Sequence, residues 1–159
     1  MSATPIAASE RYFAPNITKG YFVPSISSKA APTRPELDAG IDLTGEISAV
    51  SGWTVTGATV DAPDYGSLFT GQVPARTTAA ASSINCYASQ NTVDVREVLP
   101  RGTVGFMVWL WGGDVTGQKM DVYPVRVTTV GKTMPDNAAS DLQVSFAISS
   151  EPAEDVAIP

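Results

Sequence analysis

The residues from Arg101 to Lys132 constrain the fold more than any other part of the sequence. They predict two long β-strands joined by a turn at Gly112-Gly113-Asp114. Alternate residues of a strand point to opposite faces, and both faces of the first strand are apolar: Phe106, Val108 and Leu110 lie on one, and Met107, Trp109 and Trp111 on the other. Such a strand needs cover on both sides, from a second sheet, a helix or another subunit.

The composition predicts a single all-β domain over residues 1–159. Hydrophobic residues make up 43% of the chain and charged residues 16%, which is enough apolar surface for a core and too little charge for a disordered protein. The 13 glycines and 12 prolines are spread along the sequence, a distribution that favours many short strands and one or two short helices.

The sequence lacks the residues that most catalytic and metal sites use. It has no histidine, and its single cysteine, Cys86, lies in an apolar run typical of a buried, inert thiol. It has no catalytic motif, no signal-peptide pattern and no apolar run long enough to span a membrane. We therefore expect a non-enzymatic protein with no cofactor and no metal, made in a cytoplasm and not exported. The net charge of -6 opposes non-specific nucleic-acid binding.

A β core is predicted over residues 17–150, with two short helices. One helix is predicted to start at Thr33-Arg34-Pro35-Glu36, which resembles a capping box, and to end by Gly40. The other covers Val93–Leu99, capped by Asn91 or Thr92 and stopped by Pro100. The predicted strands outside the hairpin are Gly20–Ser25, Leu43–Val60, Ser83–Ser89 and Leu142–Ser150.

Three segments, two that flank this core and one within it, carry apolar residues that a free chain would not favour. Residues 1–16 are predicted to form an amino-terminal arm, 61–82 a long loop, and 151–159 a carboxy-terminal arm. Together with the two tryptophans of the central strand, their apolar residues are the candidate subunit-interface residues: Tyr12, Phe13, Tyr65, Leu68, Phe69, Trp109, Trp111, Val156 and Ile158. For the tryptophans, packing in a core or an interface is favoured over stacking on a sugar or a base.

Charged residues are distributed unevenly along the chain. Four bases and one acid precede Pro35, whereas the residues after Lys132 include five acids and no base. One interpretation is an ordinary solvated surface. The other is complementarity between copies, in which a basic amino-terminal segment of one subunit meets an acidic segment of the next.

The order of several short motifs resembles a known family. These motifs are Arg11-Tyr12-Phe13, Lys19-Gly20-Tyr21-Phe22-Val23-Pro24, Thr33-Arg34-Pro35-Glu36-Leu37, Ser51-Gly52-Trp53, Val98-Leu99-Pro100-Arg101-Gly102, Gly112-Gly113-Asp114, Tyr123-Pro124-Val125-Arg126-Val127 and Glu151-Pro152-Ala153. Over nearly its whole length the chain is similar to the major tail proteins, or tail tube proteins, of long non-contractile-tailed phages, especially those of actinobacterial hosts.

This resemblance implies a β-sandwich or barrel-like subunit with extended arms. Six copies would close into a ring, and the rings would stack into the virion's tail tube, through which the genome passes without specific binding. Neighbouring subunits would help to cover the doubly apolar strand. Expected partners are a tape-measure protein and terminator or adaptor proteins, with assembly in the host cytoplasm. The alternatives are a tail terminator, a head decoration protein, or a carbohydrate-binding β-sandwich with Trp53, Trp109 or Trp111 exposed to solvent.

Overall fold

The computed structural model describes residues 3–91 and 93–159. Strands account for 45% of the chain and two short helices for 6%, which confirms the predicted all-β class. The strands are β1 (Lys19–Val23), β2 (Ile41–Asp42), β3 (Ile47–Ser51), β4 (Val55–Ala62), β5 (Gly71–Ala79), β6 (Ser82–Tyr87), β7 (Val104–Leu110), β8 (Lys119–Thr133), β9 (Asp141–Ile148) and β10 (Ala153–Ala157). The helices are α1 (Arg34–Asp38) and α2 (Val95–Val98). No described helix is long and apolar enough to cross a membrane.

Eight strands form one antiparallel sheet that must curl up. Its order is β2-β1-β7-β8-β9-β6-β3, with β10 also paired to β8, and β4 and β5 form a separate two-stranded sheet. A flat sheet would hold β2 and β3 about 29 Å apart. Only residues 43–46 connect these two strands, and a connection of that length reaches at most about 18 Å. The two edges are therefore brought towards each other, which gives the barrel-like shape.

The two edges of the sheet approach each other at a seam between residues 18–20 and 44–50, and hydrogen bonds join them at Gly20. The Leu43 N–H donates to the Gly20 carbonyl at 2.9 Å, and the Gly20 N–H donates to Thr44 Oγ1 at 3.1 Å. A Cβ at Gly20 would lie 2.8 Å from Trp109 Cζ3 and 3.2 Å from Ile47 Cδ1. Glycine is therefore required here, because any side chain would push these neighbours apart.

The interior of the rolled sheet is organised around Trp53, at the bend between β3 and β4. Its ring lies 5.2–5.4 Å from the rings of Trp109, Tyr123 and Phe146. The Tyr123 hydroxyl donates to the Trp53 carbonyl at 2.6 Å, and the Trp53 N–H donates to Ser82 Oγ at 3.0 Å. These bonds hold Trp53 at a φ of 60°, a conformation that is costly for a bulky residue.

The two faces of β7 pack into two different clusters, as predicted. Met107 and Trp109 join the Trp53 cluster, while Val108 and Leu110 pack on the outside with Ile158. Helix α1 and β10 provide the outer cover. Segments of the same chain bury five of the seven residues of β7, so only a small part of the strand is left for neighbouring subunits to cover.

The carboxy-terminal residues extend the sheet within the subunit. Strand β10 pairs antiparallel with the first part of β8, and β9 pairs with its later part along the same edge. A register shift between Ala153 and Val156 separates the pairs of β10. The predicted carboxy-terminal arm therefore does not project from the core, since 153–157 completes the edge that β9 leaves unpaired.

Three sequence-based boundaries require correction. The predicted strand Leu43–Val60 is divided into β3 and β4, because Gly52 and Trp53 have positive φ and bend the chain between them. The predicted loop 61–82 is largely a hairpin, with β5 within it and the turn limited to residues 63–70. Helix α2 begins at Val95 rather than Val93, because Asp94 Oδ1 accepts from the Arg96 N–H at 3.0 Å and caps it. Of the predicted caps, Thr92 lies outside the described residues. The start of α1 is as predicted: Glu36 accepts the Thr33 N–H at 2.8 Å.

Candidate assembly surfaces

The hairpin of β4 and β5 is the most prominent projection of the subunit. It forms a sheet of its own, and most of its residues are exposed. Eight residues of strand extend about 26 Å. Val60 and Val73 face each other across the two strands, yet each keeps about half of its surface exposed. The hairpin therefore obtains almost no stabilisation from packing on its own core.

The tip of this hairpin presents three of the predicted interface residues together. Tyr65 and Leu68 are fully exposed, and Phe69 is 78% exposed. Local bonds shape the turn: the Gly66 N–H donates to Asp64 Oδ1 at 2.7 Å, and the Phe69 N–H donates to Ser67 Oγ at 3.0 Å. The apolar side chains are thus displayed by an ordered turn, which lowers the entropy cost of docking.

The amino-terminal segment also lies apart from the core. Residues 3–13 have no helix or strand, and Ile6 and Phe13 are 97% and 79% exposed. Tyr12 is about half exposed. A turn follows, in which the N–H groups of Ile17 and Thr18 both donate to the Ala14 carbonyl. The structure therefore places Tyr12 and Phe13 on the surface, as an interface role requires.

The two predicted tryptophans of the hairpin region have little free surface. Trp109 is 2% exposed, and Trp111 stacks on it with ring centres 5.7 Å apart. Trp111 is half-buried and donates from Nε1 to Asp121 Oδ2 at 2.6 Å. Trp53 is also buried, at 3%. Neither Trp53 nor Trp109 can stack on a sugar, because the rolled sheet leaves only 3% and 2% of their surfaces exposed.

The predicted carboxy-terminal anchor residues are held within the subunit. Ile158 is 2% exposed, and its N–H donates to the Gln118 carbonyl at 2.8 Å. The Gly117 N–H donates back to the Ile158 carbonyl at 2.9 Å. Val156 is half-buried against the same outer cluster. The prediction that Ile158 is an interface residue is therefore wrong, because its side chain is buried in the core of its own subunit.

A charged cluster ties α1 to the β7–β8 turn. Arg34 forms two bonds to the Asp114 carboxylate, at 2.5 and 2.8 Å, and the Tyr21 hydroxyl donates to Asp114 Oδ2 at 3.0 Å. The Arg34 hydrogen bonds hold the pKa of Asp114 below its usual range. Burial and the hydrogen bond to Asp114 raise the pKa of Tyr21 to about 12. Sequence motifs did not reveal this cluster, because its three members lie in separate elements.

Part of the amino-terminal basic charge is therefore satisfied within the subunit. Arg34 also pairs with Asp38 at 2.9 Å, and Lys29 donates to the Glu151 carbonyl. Of the four bases before Pro35, Arg34 alone forms an ion pair within residues 3–91 and 93–159, and Arg11, Lys19 and Lys29 form none. Fewer basic side chains are therefore free to attract the acidic segment of another copy than the number of bases in the sequence indicates.

The described residues offer little for catalysis or metal binding. Across 3–91 and 93–159, no three cysteine or acidic side chains gather in a way that would hold a metal ion. Cys86 is buried, and burial raises the pKa of its thiol to about 12. A thiol of this kind is protonated and poorly reactive at neutral pH. The prominent surface features are thus apolar projections rather than a reactive cleft.

A rolled β-sheet with a projecting apolar hairpin is typical of a structural subunit that contacts other subunits. The sequence matches the family described as phage tail tube protein over residues 7–159, and the chain belongs to that family. The family is a structural one, and the chain is therefore a structural protein of the phage tail tube. The resemblance drawn from the motif order is confirmed. Among curated proteins, no match is found.

Three solved structures are among those that match the chain. A chain of the anti-feeding prophage baseplate, determined by cryo-EM with six-fold symmetrisation, matches with a TM-score of 0.59 and 10% identity over 95% of each chain. An Hcp protein matches with a TM-score of 0.44 and 14% identity, covering 84% of this chain and 89% of that one. The SPP1 Dit protein gives 0.42 and 13%, covering 85% and 51%. At these identities the likeness concerns the fold.

Proposed function

We propose that six copies of the chain close into a ring, and that rings stack head to tail to form the tube that carries the phage genome. Membership of the tail tube family supports assembly into a tube. The six-fold number is supported by the similar baseplate chain, whose assembly is six-fold symmetrised. In a head-to-tail arrangement, two different surfaces of the same chain meet. Such contacts form a closed ring when the rotation between subunits closes, and an open filament when the contact repeats along the axis.

The observation that carries this proposal is the hairpin tip. Tyr65, Leu68 and Phe69 project on a two-stranded sheet without burying their surface in the subunit. Contiguous exposed apolar groups on an ordered element are typical of interaction sites. We assign the tip to the contact between successive rings, and Tyr12 and Phe13 of the amino-terminal segment to a second contact with a neighbour.

The tube is proposed to conduct DNA without binding it. The chain has 16 acids and 10 bases, and a wall of like charge repels the phosphate backbone. Further proposed partners are a tape-measure protein inside the tube and terminator or adaptor proteins at its ends, with assembly in the host cytoplasm. A tail terminator or a decoration protein would share the fold but would not polymerise along an axis.

Electron microscopy of the purified protein at high concentration tests this function, with light scattering in parallel. Tubes or stacked rings with six-fold class averages are the expected result. A chain that stays monomeric even when mixed with its tail-initiation complex would contradict the proposal. Closed rings that never stack would favour the terminator. Duplex DNA should show no measurable binding to the tubes at physiological salt.

A further inference from the structure

An open groove runs along the seam where the rolled sheet fails to close. Its volume is about 430 Å³, and Trp109 and Trp111 lie between its two sides. One side is the turn from Ala14 to Thr18 together with Gly20, and the other is β3 from Ile47 to Val50. The groove is within the range of about 300–1,000 Å³ that is typical of binding clefts.

One wall of this groove is a strand with a free edge. Strand β3 ends the sheet order and pairs with β6 on one side only, as far as the described residues show. Val50 is 44% exposed, and Ser48 and Ala49 are exposed as well. A free edge presents unpaired N–H and C=O groups that can accept another strand. An apolar floor next to such an edge is the arrangement used in recognition by strand addition.

The amino-terminal segment has the properties of the missing strand. Residues 6–14 lie between Pro5 and Pro15 and contain no proline, so all of them can donate backbone hydrogen bonds. This stretch is longer than the five residues of β3. Alternation places Ile6, Ala8, Glu10 and Tyr12 on one face. The first and last of these are large and apolar enough to pack on the floor of the groove, with the Glu10 carboxylate directed to solvent at its rim.

We propose that residues 6–13 of one copy add as a strand to the free edge of β3 in a neighbouring copy, with Ile6 and Tyr12 against the floor. This rests on the proposed assembly into a tube and names the site that receives the amino-terminal segment. Within a subunit the segment leaves the groove empty, because Ile6 and Phe13 are exposed. Extended residues 3–13 reach about 36 Å, comparable with the roughly 40 Å diameter of a domain of this size.

The hairpin tip is a less suitable occupant for the groove. Its turn is closed by its own hydrogen bonds at residues 64–69, so it cannot present an extended backbone to β3. The amino-terminal segment has no such internal bonds and no helix or strand of its own. The free edge of β3 therefore favours the segment, and occupation by the hairpin becomes an outcome of the test.

Disulfide trapping between copies tests the pairing directly. Native Cys86 is buried, so introduced cysteines supply the reactive thiols. A full-length chain with Ser9→Cys is mixed with one carrying Ser48→Cys or Ala49→Cys, assembled and oxidised. Neighbouring β3 positions point to opposite faces, so one of them shares a face with residue 9 in either register. We expect a covalent dimer with one of the two, and none with Thr129→Cys, an exposed control on β8.

Each other outcome of this trapping overturns the pairing. Tubes that form without any dimer between residues 9 and 48 or 49 would do so, while leaving the proposed function intact. An equal dimer yield with Thr129→Cys would also contradict the pairing. A dimer between Ser67→Cys and Ser48→Cys would contradict it as well, because it would place the hairpin in the groove. A chain carrying both Ser9→Cys and Ser48→Cys that closes only on itself would show that the segment folds back.

Proline substitution gives a second, independent measurement. In an added strand, alternate residues direct their N–H to β3, so Ala8→Pro and Ser9→Pro should differ. One of the two should lower tube yield at least about fivefold more than the other, as expected for losing a hydrogen bond repeated in every subunit. Both should leave the melting temperature of the subunit unchanged. Equal effects from both prolines would contradict pairing through the backbone.

Discussion

Replacing Phe69 at the hairpin tip with serine should abolish stacking while leaving the subunit intact. The ring is 78% exposed, so the subunit gains little from it. Complete burial of a phenylalanine is worth about 1.5–3 kcal/mol, so covering its exposed part contributes roughly 1.2–2.3 kcal/mol per contact. With six copies in a ring, the loss approaches roughly 7–14 kcal/mol for each ring-to-ring contact. A loss of about 1.4 kcal/mol already weakens an affinity tenfold, so this loss is large enough to prevent stacking.

The assay compares Phe69→Ser with Phe69→Leu, which keeps an apolar side chain at the same place. Thermal unfolding should give the same melting temperature for both variants and for the unmodified chain, because the tip bonds at Asp64 and Ser67 remain. Micrographs should show tubes for the leucine variant and isolated rings or single subunits for the serine variant. Normal tube lengths from Phe69→Ser would refute the assignment of the tip to the axial contact. A lowered melting temperature would instead mean that the hairpin packs on its own core.

Three further substitutions address the subunit itself. Trp53→Ala should lower the free energy of unfolding by about 3–5 kcal/mol in urea titrations, because its ring contacts three aromatic neighbours; a loss below 1 kcal/mol would mean that the interior is loosely packed. Asp114→Asn should make stability less sensitive to acid: the folded pKa is depressed, so the ion pair stabilises above the unfolded pKa of about 3.9 and is lost as pH falls through the folded value. Urea midpoints at pH 7 and pH 3 measure this, and an unchanged difference between them would exclude the pair. Ile158→Ala should cost about 2–5 kcal/mol, since the side chain is buried; unchanged stability by calorimetry would restore the carboxy-terminal segment as a free arm.

The sequence predicts the centre of the fold well because apolar residues there follow strand periodicity. Both faces of β7 are filled with large side chains, and the alternation assigns Met107 and Val108 correctly to opposite clusters. Glu36 caps the first helix as its spacing from Thr33 predicts. These features depend on neighbours within a few residues, so local pattern is sufficient.

Features outside the core were harder to predict. Strand β5 is exposed on both faces, so it has no hydrophobic alternation, and its Gly71 and Pro74 suggest a loop. The burial of Ile158 depends on a pairing with β8 that lies far away in sequence. The ion pair of Arg34 and Asp114 spans 80 residues. Periodicity carries no information on contacts of such range, and only the topology of the sheet brings these residues together.

The division between a closed core and unpartnered projections decides how substitutions should act. The Trp53 cluster and the outer cluster beneath Ile158 are completed by the chain itself, so changes there alter folding. The hairpin tip and residues 3–13 bury almost nothing in the subunit, so changes there leave folding unaltered. Because the two groups have no residue in common, we expect their effects to add. We therefore expect the subunit to stay folded when these projections have no neighbour, so that the two groups of substitutions separate folding from assembly.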